Sequence, residues 1–156
     1  MSEVYLRNRQ RSRSIDLPLL KSITLALVAR ICPAEYRIGI LLVGPREITR
    51  LNEAYLRHAG PTDVIAFGYA AAQCRSLHGE IFICVDEALR QARRFRTTWQ
   101  KELVRYLTHG LLHLQGYDDL TAAKRLRMKS VENRLVRELA QEFCLSRLAR
   151  NFKVAP

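Results

Sequence analysis

The sequence is short of acid, of paired cysteine and of long apolar runs, and each shortage closes off a class of protein. Only 15 Asp and Glu stand against 26 Lys and Arg, a net charge of +11, so the chain is not built to attract cationic partners. Cys32, Cys74, Cys84 and Cys144 are far apart, and no C-x-x-C pair occurs, which argues against a cysteine zinc site. Four cysteines in 156 residues are also too few for a disulfide scaffold, so free thiols in a reducing cytoplasm are expected. No stretch reaches the ~18 apolar residues of a membrane span. Arginines ahead of Leu17–Ala29 imitate a signal peptide, but Lys21, Ser22 and Thr24 interrupt the run. Leu20, Ile23, Leu27 and Ile31 instead fall at helical spacing, which predicts an amphipathic helix packed on the core. Internal repeats, low-complexity stretches and linkers are lacking too, so residues 1–156 are expected to form one domain.

What the chain has in excess is basic charge, and it recurs in three places. Arg7, Arg9, Arg11 and Arg13 alternate, so an extended segment would place all four on one face. Residues 90–105 carry six Lys and Arg against Glu102 alone, and residues 121–137 carry six against Glu132 alone. Such surfaces bind phosphate backbones through electrostatics and counterion release, and nucleic acid is the expected partner.

Patterning predicts the elements. Val4–Arg9 reads as a strand. Asp16 caps a helix that has Pro18 in its first turn and runs to about Ile31. Tyr36–Val43 is a strand ended by Gly44-Pro45, and Arg46–Arg57 is a helix with Ile48, Leu51 and Tyr55 on one face. Asp63–Tyr69 and Gly79–Val85 are short strands. Asp86 caps a helix whose Leu89, Ala92 and Phe95 share a face, and Thr98 caps the next, which runs to about Gln115. Thr121 opens a long basic helix with Met128, Val131, Leu135 and Leu139 at core spacing. The order β-α-β-α-β-β-α-α-α predicts an α+β fold: a single small mixed sheet covered by helices. Strand order does not follow from it.

The chemistry concentrates in residues 109–119, His-Gly-Leu-Leu-His-Leu-Gln-Gly-Tyr-Asp-Asp. On a helix, His109 and His113 lie one turn apart on the same face, close enough to share a metal ion. Gly116 can end the helix in a left-handed conformation and turn the chain back, so that Asp118 or Asp119 supplies a third ligand. Two histidines and a carboxylate leave a fourth position for water, the layout of a catalytic zinc site. The surrounding helix is apolar, and burying two unpartnered imidazoles there would be unfavourable; a metal satisfies both. The pattern H-x-x-x-H-x-x-G-x-x-D resembles the zinc motif of the metzincins with aspartate as third ligand. Where H-E-x-x-H proteases carry their general base, this chain has Gly110.

The same segment resembles the signature of the YbeY family, bacterial endoribonucleases of rRNA maturation, H-G-x-L-H-L-x-G-Y-D-H, departing only at Asp119. Leu51, Asn52 and Tyr55 are similar to the family's L-N-x-x-Y block, Pro61–Phe67 to its P-T-D-V-L-S-F block and Gly79-Glu80-Ile81 to its G-D-I block. Met128 and Glu132 resemble the M-x-x-x-E after the metal motif, and the likeness runs from about Leu51 to Glu132. The resemblance implies a zinc-dependent, single-strand-specific endoribonuclease acting in 16S rRNA 3′-end maturation and late ribosome quality control, with the ribosome or its small subunit as partner. It implies His109, His113 and Asp119 as ligands of one Zn2+, other divalent metals being possible with an aspartate. The family often has an arginine directly after the tyrosine; here that residue is Leu56, and the following Arg57 is either the candidate catalytic arginine in its place or a surface arginine on a helix end.

The expected chemistry is metal-assisted phosphodiester hydrolysis, with Arg57 stabilising charge on the phosphate. Thr62 and Asp63 either organise the cleft or form an ordinary turn. Glu132 is either a partner of a metal histidine or a salt bridge on a helix. His58 and His78 are read as surface residues. The rival readings are a metallopeptidase, which Gly110 opposes, and a non-catalytic ribosome-binding factor with a structural metal.

Overall fold

The structure, a computed structural model, describes residues 2–31, 33–57, 60, 62–69 and 75–150. Four strands form one sheet: β1 (Glu3–Asn8), β2 (Tyr36–Val43), β3 (Val64–Gly68) and β4 (Leu77–Cys84). Their spatial order is β1-β2-β4-β3; β1, β2 and β4 run parallel and β3 pairs antiparallel along the edge of β4. The helices are α1 (Leu17–Ile31), α2 (Pro45–Leu51), α3 (Val85–Phe95), α4 (Trp99–Gln115) and α5 (Ala122–Glu142). The α+β reading with one mixed sheet therefore holds, and so does the element order.

Strand alternation builds two cores. Ile38, Ile40 and Leu42 of β2, with Ile81 and Ile83 of β4, face the main helical layer and pack with Leu20, Leu27, Leu103, Leu107 and Leu111. Leu41, Val43, Phe82 and Cys84 point the other way and meet Ile48 of α2. Both faces are covered at the strands' C-terminal ends, so β2 and β4 read there as unbroken apolar runs. Asp16 caps α1 through Oδ1, which accepts from Leu19 N at 3.0 Å. Thr98 and Thr121 do the same for α4 and α5, accepting from Lys101 N and Lys124 N at 3.2 and 3.1 Å.

Four local expectations need correction. The segment 46–57 is not one α-helix: α2 passes at Asn52 into a π-helical turn, Asn52–Leu56. That turn breaks the 3.6-residue register, so Tyr55 leaves the Ile48–Leu51 face and stands 67% exposed, edge-on to Phe67. The N-cap of α3 is Cys84, with Asp86 in the first turn. The buried face of α3 is Val85, Ala88 and Ala92, whereas Phe95 is exposed beneath the Arg94 guanidinium. Finally, β1 stops at Asn8 and the chain bends as the Gln10 carboxamide accepts from Ser12 N and Arg13 N, so the four N-terminal arginines do not form one extended face.

Two glycines let α4 lie close on β4. A Cβ at Gly110 would stand 2.6 Å from Ile81 Cγ2, and one at Gly79 would stand 2.3 Å from the Phe67 carbonyl oxygen and 2.7 Å from Leu114 Cδ2. Among the described residues, no helix is long and apolar enough to cross a membrane.

Candidate metal centre

Helix α4 carries two imidazoles on one face because His109 and His113 are four residues apart. Their Nε2 atoms face each other at 3.0 Å and the rings meet nearly edge to face, 76° between planes. Gly116 then ends the helix with φ 109°. Its N–H donates to the His113 carbonyl at 3.0 Å, and Tyr117 N–H donates to the Leu112 carbonyl at 3.0 Å, the paired bonds of a Schellman ending. The chain reverses through 117–121 into α5.

That reversal separates the two aspartates. Asp118 is used by the turn: its carboxylate accepts from Leu120 N at 3.0 Å and from Lys124 Nζ at 3.2 Å. The backbone bond to Leu120, with help from Lys124, holds its pKa below the usual carboxylate range. Asp119 is left to face the histidines, and one ligand atom from each of His109, His113 and Asp119 lies within 4.8 Å of the other two. These donors suit a divalent ion. Two ligands at zinc's usual bond lengths and tetrahedral angle stand about 3.3 Å apart, close to the 3.0 Å between the two Nε2 atoms. Burial, followed by the neighbouring His109 ring, holds His113 below its ordinary pKa, which favours the neutral, ligating imidazole.

Behind the histidines lies Glu132 of α5, only 3% exposed. Its Oε1 is 2.8 Å from His109 Nδ1, and its Oε2 accepts from Arg105 Nη1 at 2.8 Å and Lys129 Nζ at 3.1 Å. Burial pushes this carboxyl up, but hydrogen bonds from His109 and Arg105 and the charge of Lys129 outweigh it and hold the group at about 2. An ionised Glu132 favours the proton on Nδ1 of His109 and so turns the Nε2 lone pair toward His113. Both sequence readings of Glu132 are thus present at once, a histidine partner and an ion pair. The sequence reading missed Arg105, although it lies one turn before His109 on the same face of α4.

The remaining candidates are more scattered. Arg57 closes the π-helical turn in the left-handed region, φ 55°, with an exposed side chain. Among the described residues, no hydrogen bond or ion pair ties it to the histidines or to Asp119. Asp63 Oδ1 accepts from its neighbour Val64 N at 2.7 Å and lies 3.4 Å from Thr62 Oγ1, the geometry of a local turn. His78 is exposed on β4 beside Tyr69. His58, Cys32, Cys74 and Pro61 lie outside the described residues.

Fold and site together define an α+β protein with a two-histidine, one-aspartate cluster able to hold a divalent metal. The family described as endoribonuclease YbeY matches residues 5–140, and the chain belongs to that family. A relative from Chlorobium luteolum, named endoribonuclease YbeY, is 39% identical over 102 residues, 65% of this chain and 73% of its own. Another of that name, from Syntrophotalea carbinolica, is 31% identical over 150 residues, 92% of this chain and 99% of its own. The solution structure of a Thermotoga maritima protein superimposes with a TM-score of 0.68 at 25% identity, over 99% of this chain and 100% of that one.

Proposed function

We propose that the chain is a metal-dependent endoribonuclease that hydrolyses phosphodiester bonds in single-stranded RNA, with rRNA of the small ribosomal subunit as its substrate. The convergence of His109, His113 and Asp119 at the end of α4 carries this reading, in a chain that belongs to the endoribonuclease YbeY family. Maturation of the 16S rRNA 3′ end, ribosome quality control and a cytoplasmic location belong to the same proposal. So does one domain spanning residues 1–156.

His109, His113 and Asp119 would hold the ion, zinc being the metal that two imidazoles and a carboxylate suit best. A divalent ion supplies a Lewis acid for the phosphoryl oxygen and acidifies water. The rest falls to the chain. Glu132 fixes the tautomer and orientation of His109. The basic face of α5 draws in the phosphate backbone. Arg57 offers a guanidinium to charge building on the scissile phosphate.

The peptidase reading fails on packing as well as on spelling. A side chain at Gly110 would collide with the fully buried Ile81, so the position of the peptidase base is closed by the helix–sheet contact. A non-catalytic ribosome-binding factor remains as the second reading, since the ion-binding residues and the basic surface serve both.

The deciding experiment measures bound metal and cleavage of single-stranded RNA in the wild type, with and without a chelator, and in His113→Ala. Chelation and the substitution should each abolish cleavage while the circular dichroism spectrum is retained. RNA binding without cleavage in the metal-loaded wild type establishes the second reading, and chelator-resistant cleavage ends the metalloenzyme reading.

A further inference from the structure

Beside the metal centre, between the end of α4 and the first turns of α5, lies a cavity of about 510 Å³. It is lined by His109, Asp119, Ala122, Leu126, Arg125, Lys129 and Glu132. Leu126 is 73% exposed, an isolated apolar side chain on the basic face of a helix. Arg125 is tethered there, its Nη1 donating to the Asp119 carbonyl at 3.2 Å. We propose that this cavity binds the nucleobase adjacent to the scissile phosphate, and that it is the source of the preference for single-stranded RNA. The inference rests on the nuclease reading above.

Three observations favour a nucleotide as the occupant. First, the cavity shares His109 and Asp119 with the metal centre, so a group held in it is one step along the strand from the reacting phosphate. Second, its chemistry is divided as a nucleotide's is. Ala122 and Leu126 offer an apolar surface to the face of a base, and Arg125 and Lys129, one helical turn apart, offer cations to the flanking phosphates. Third, Glu132, which also lines the cavity, is buried and its charge is shared by His109, Arg105 and Lys129, so it opposes an incoming anion weakly. The volume lies within the range of small-molecule sites. A base stacked in a duplex cannot enter such a cavity, whereas an unstacked base in a single strand can, and the cavity reads the faces of the base more than its edges. The expected outcome is selection for single strands with little sequence preference.

The test pairs Leu126→Ser with an abasic nucleotide walked through a single-stranded RNA, comparing kcat/KM for each combination. In the wild type, an abasic residue at one position next to the cut bond should lower kcat/KM by about tenfold, an aliphatic contact being at the weak end of base-packing energies. Leu126→Ser should lose a similar factor on intact RNA and little more when that base is missing, the non-additivity of two groups in contact. The slope of log affinity against log salt should stay unchanged in Leu126→Ser and become shallower by about 0.7 in Arg125→Gln. Strictly additive losses, or loss of bound metal from Leu126→Ser, overturn the subsite. Unchanged RNA cleavage in Leu126→Ser also overturns it and leaves the cavity to a protein segment. A metal-loaded wild type that cleaves no RNA overturns the nuclease reading itself, a result distinct from these.

Discussion

Glu132 Oε1 lies 2.8 Å from His109 Nδ1, so a carboxylate on α5 grips the outer nitrogen of an imidazole on α4. The same carboxylate gathers Arg105 and Lys129, and a change at Glu132 therefore reaches the candidate metal centre and the packing of the two helices together.

Glu132→Gln should weaken metal binding by about 10- to 100-fold, the usual effect of losing a partner behind a histidine ligand. The carboxamide nitrogen cannot accept from two cations, so stability should also fall by about 1–3 kcal/mol. Competition with a chromogenic chelator reads the first effect and urea unfolding of the metal-free protein reads the second. Wild-type affinity in the variant would assign Glu132 to helix packing alone.

The two aspartates should separate cleanly. Asp119→Ala should lose bound metal and RNA cleavage, and Asp119→His should keep both, because imidazole and carboxylate bind zinc at similar lengths. Asp118→Ala should keep its metal and loosen the start of α5, since its carboxylate holds Leu120 N and Lys124. Metal content by mass spectrometry decides the matter. Metal loss from Asp118→Ala with retention in Asp119→Ala moves the ligand by one residue.

Arg57 sits at φ 55°, where a side chain is strained and glycine is not. Arg57→Gly should therefore raise stability by up to about 1 kcal/mol while lowering kcat, and Arg57→Ala should lower kcat more than RNA affinity with the strain retained. Thermal melts and single-turnover cleavage measure both. Equal losses of rate and affinity, or none, return Arg57 to the ordinary surface.

Gly110→Glu restores the spelling of a zinc peptidase and should create no peptidase. A Cβ there stands 2.6 Å from Ile81 Cγ2, and a carboxylate would be forced into the α4–β4 contact. The variant should lose more than about 3 kcal/mol from overpacking and a buried charge. A stable variant in a chemical melt would contradict the packing argument.

Much of this could be read from the chain. The histidine pair, the Gly116 ending and the threonine caps are local devices, and local devices leave local signatures. The features that escaped depend on contacts between distant segments or on a register change. The π-helical turn at Asn52 moved Tyr55 off its predicted face because a periodic pattern assumes a constant number of residues per turn. Of the face shared by Leu89, Ala92 and Phe95, Ala92 is buried, with Val85 and Ala88 beside it, whereas Phe95 at the end of α3 is exposed. The place of β4 between β2 and β3 follows from pairing along the sheet. The Arg105–Glu132–His109 chain needs α4 and α5 side by side before it exists.

Every residue at the candidate centre, from His109 through Asp119 to Glu132, belongs to the two antiparallel helices α4 and α5 and the turn between them. An ion bound there acts as a clasp on that hairpin, and its free energy of binding is added to the local opening of the hairpin more than to the stability of the sheet. Stripping the metal should therefore leave slow amide exchange in β2 and β4 intact while the stretch from Gly116 into the first turns of α5 exchanges freely. Ion occupancy and the order of the α4–α5 turn are then one equilibrium.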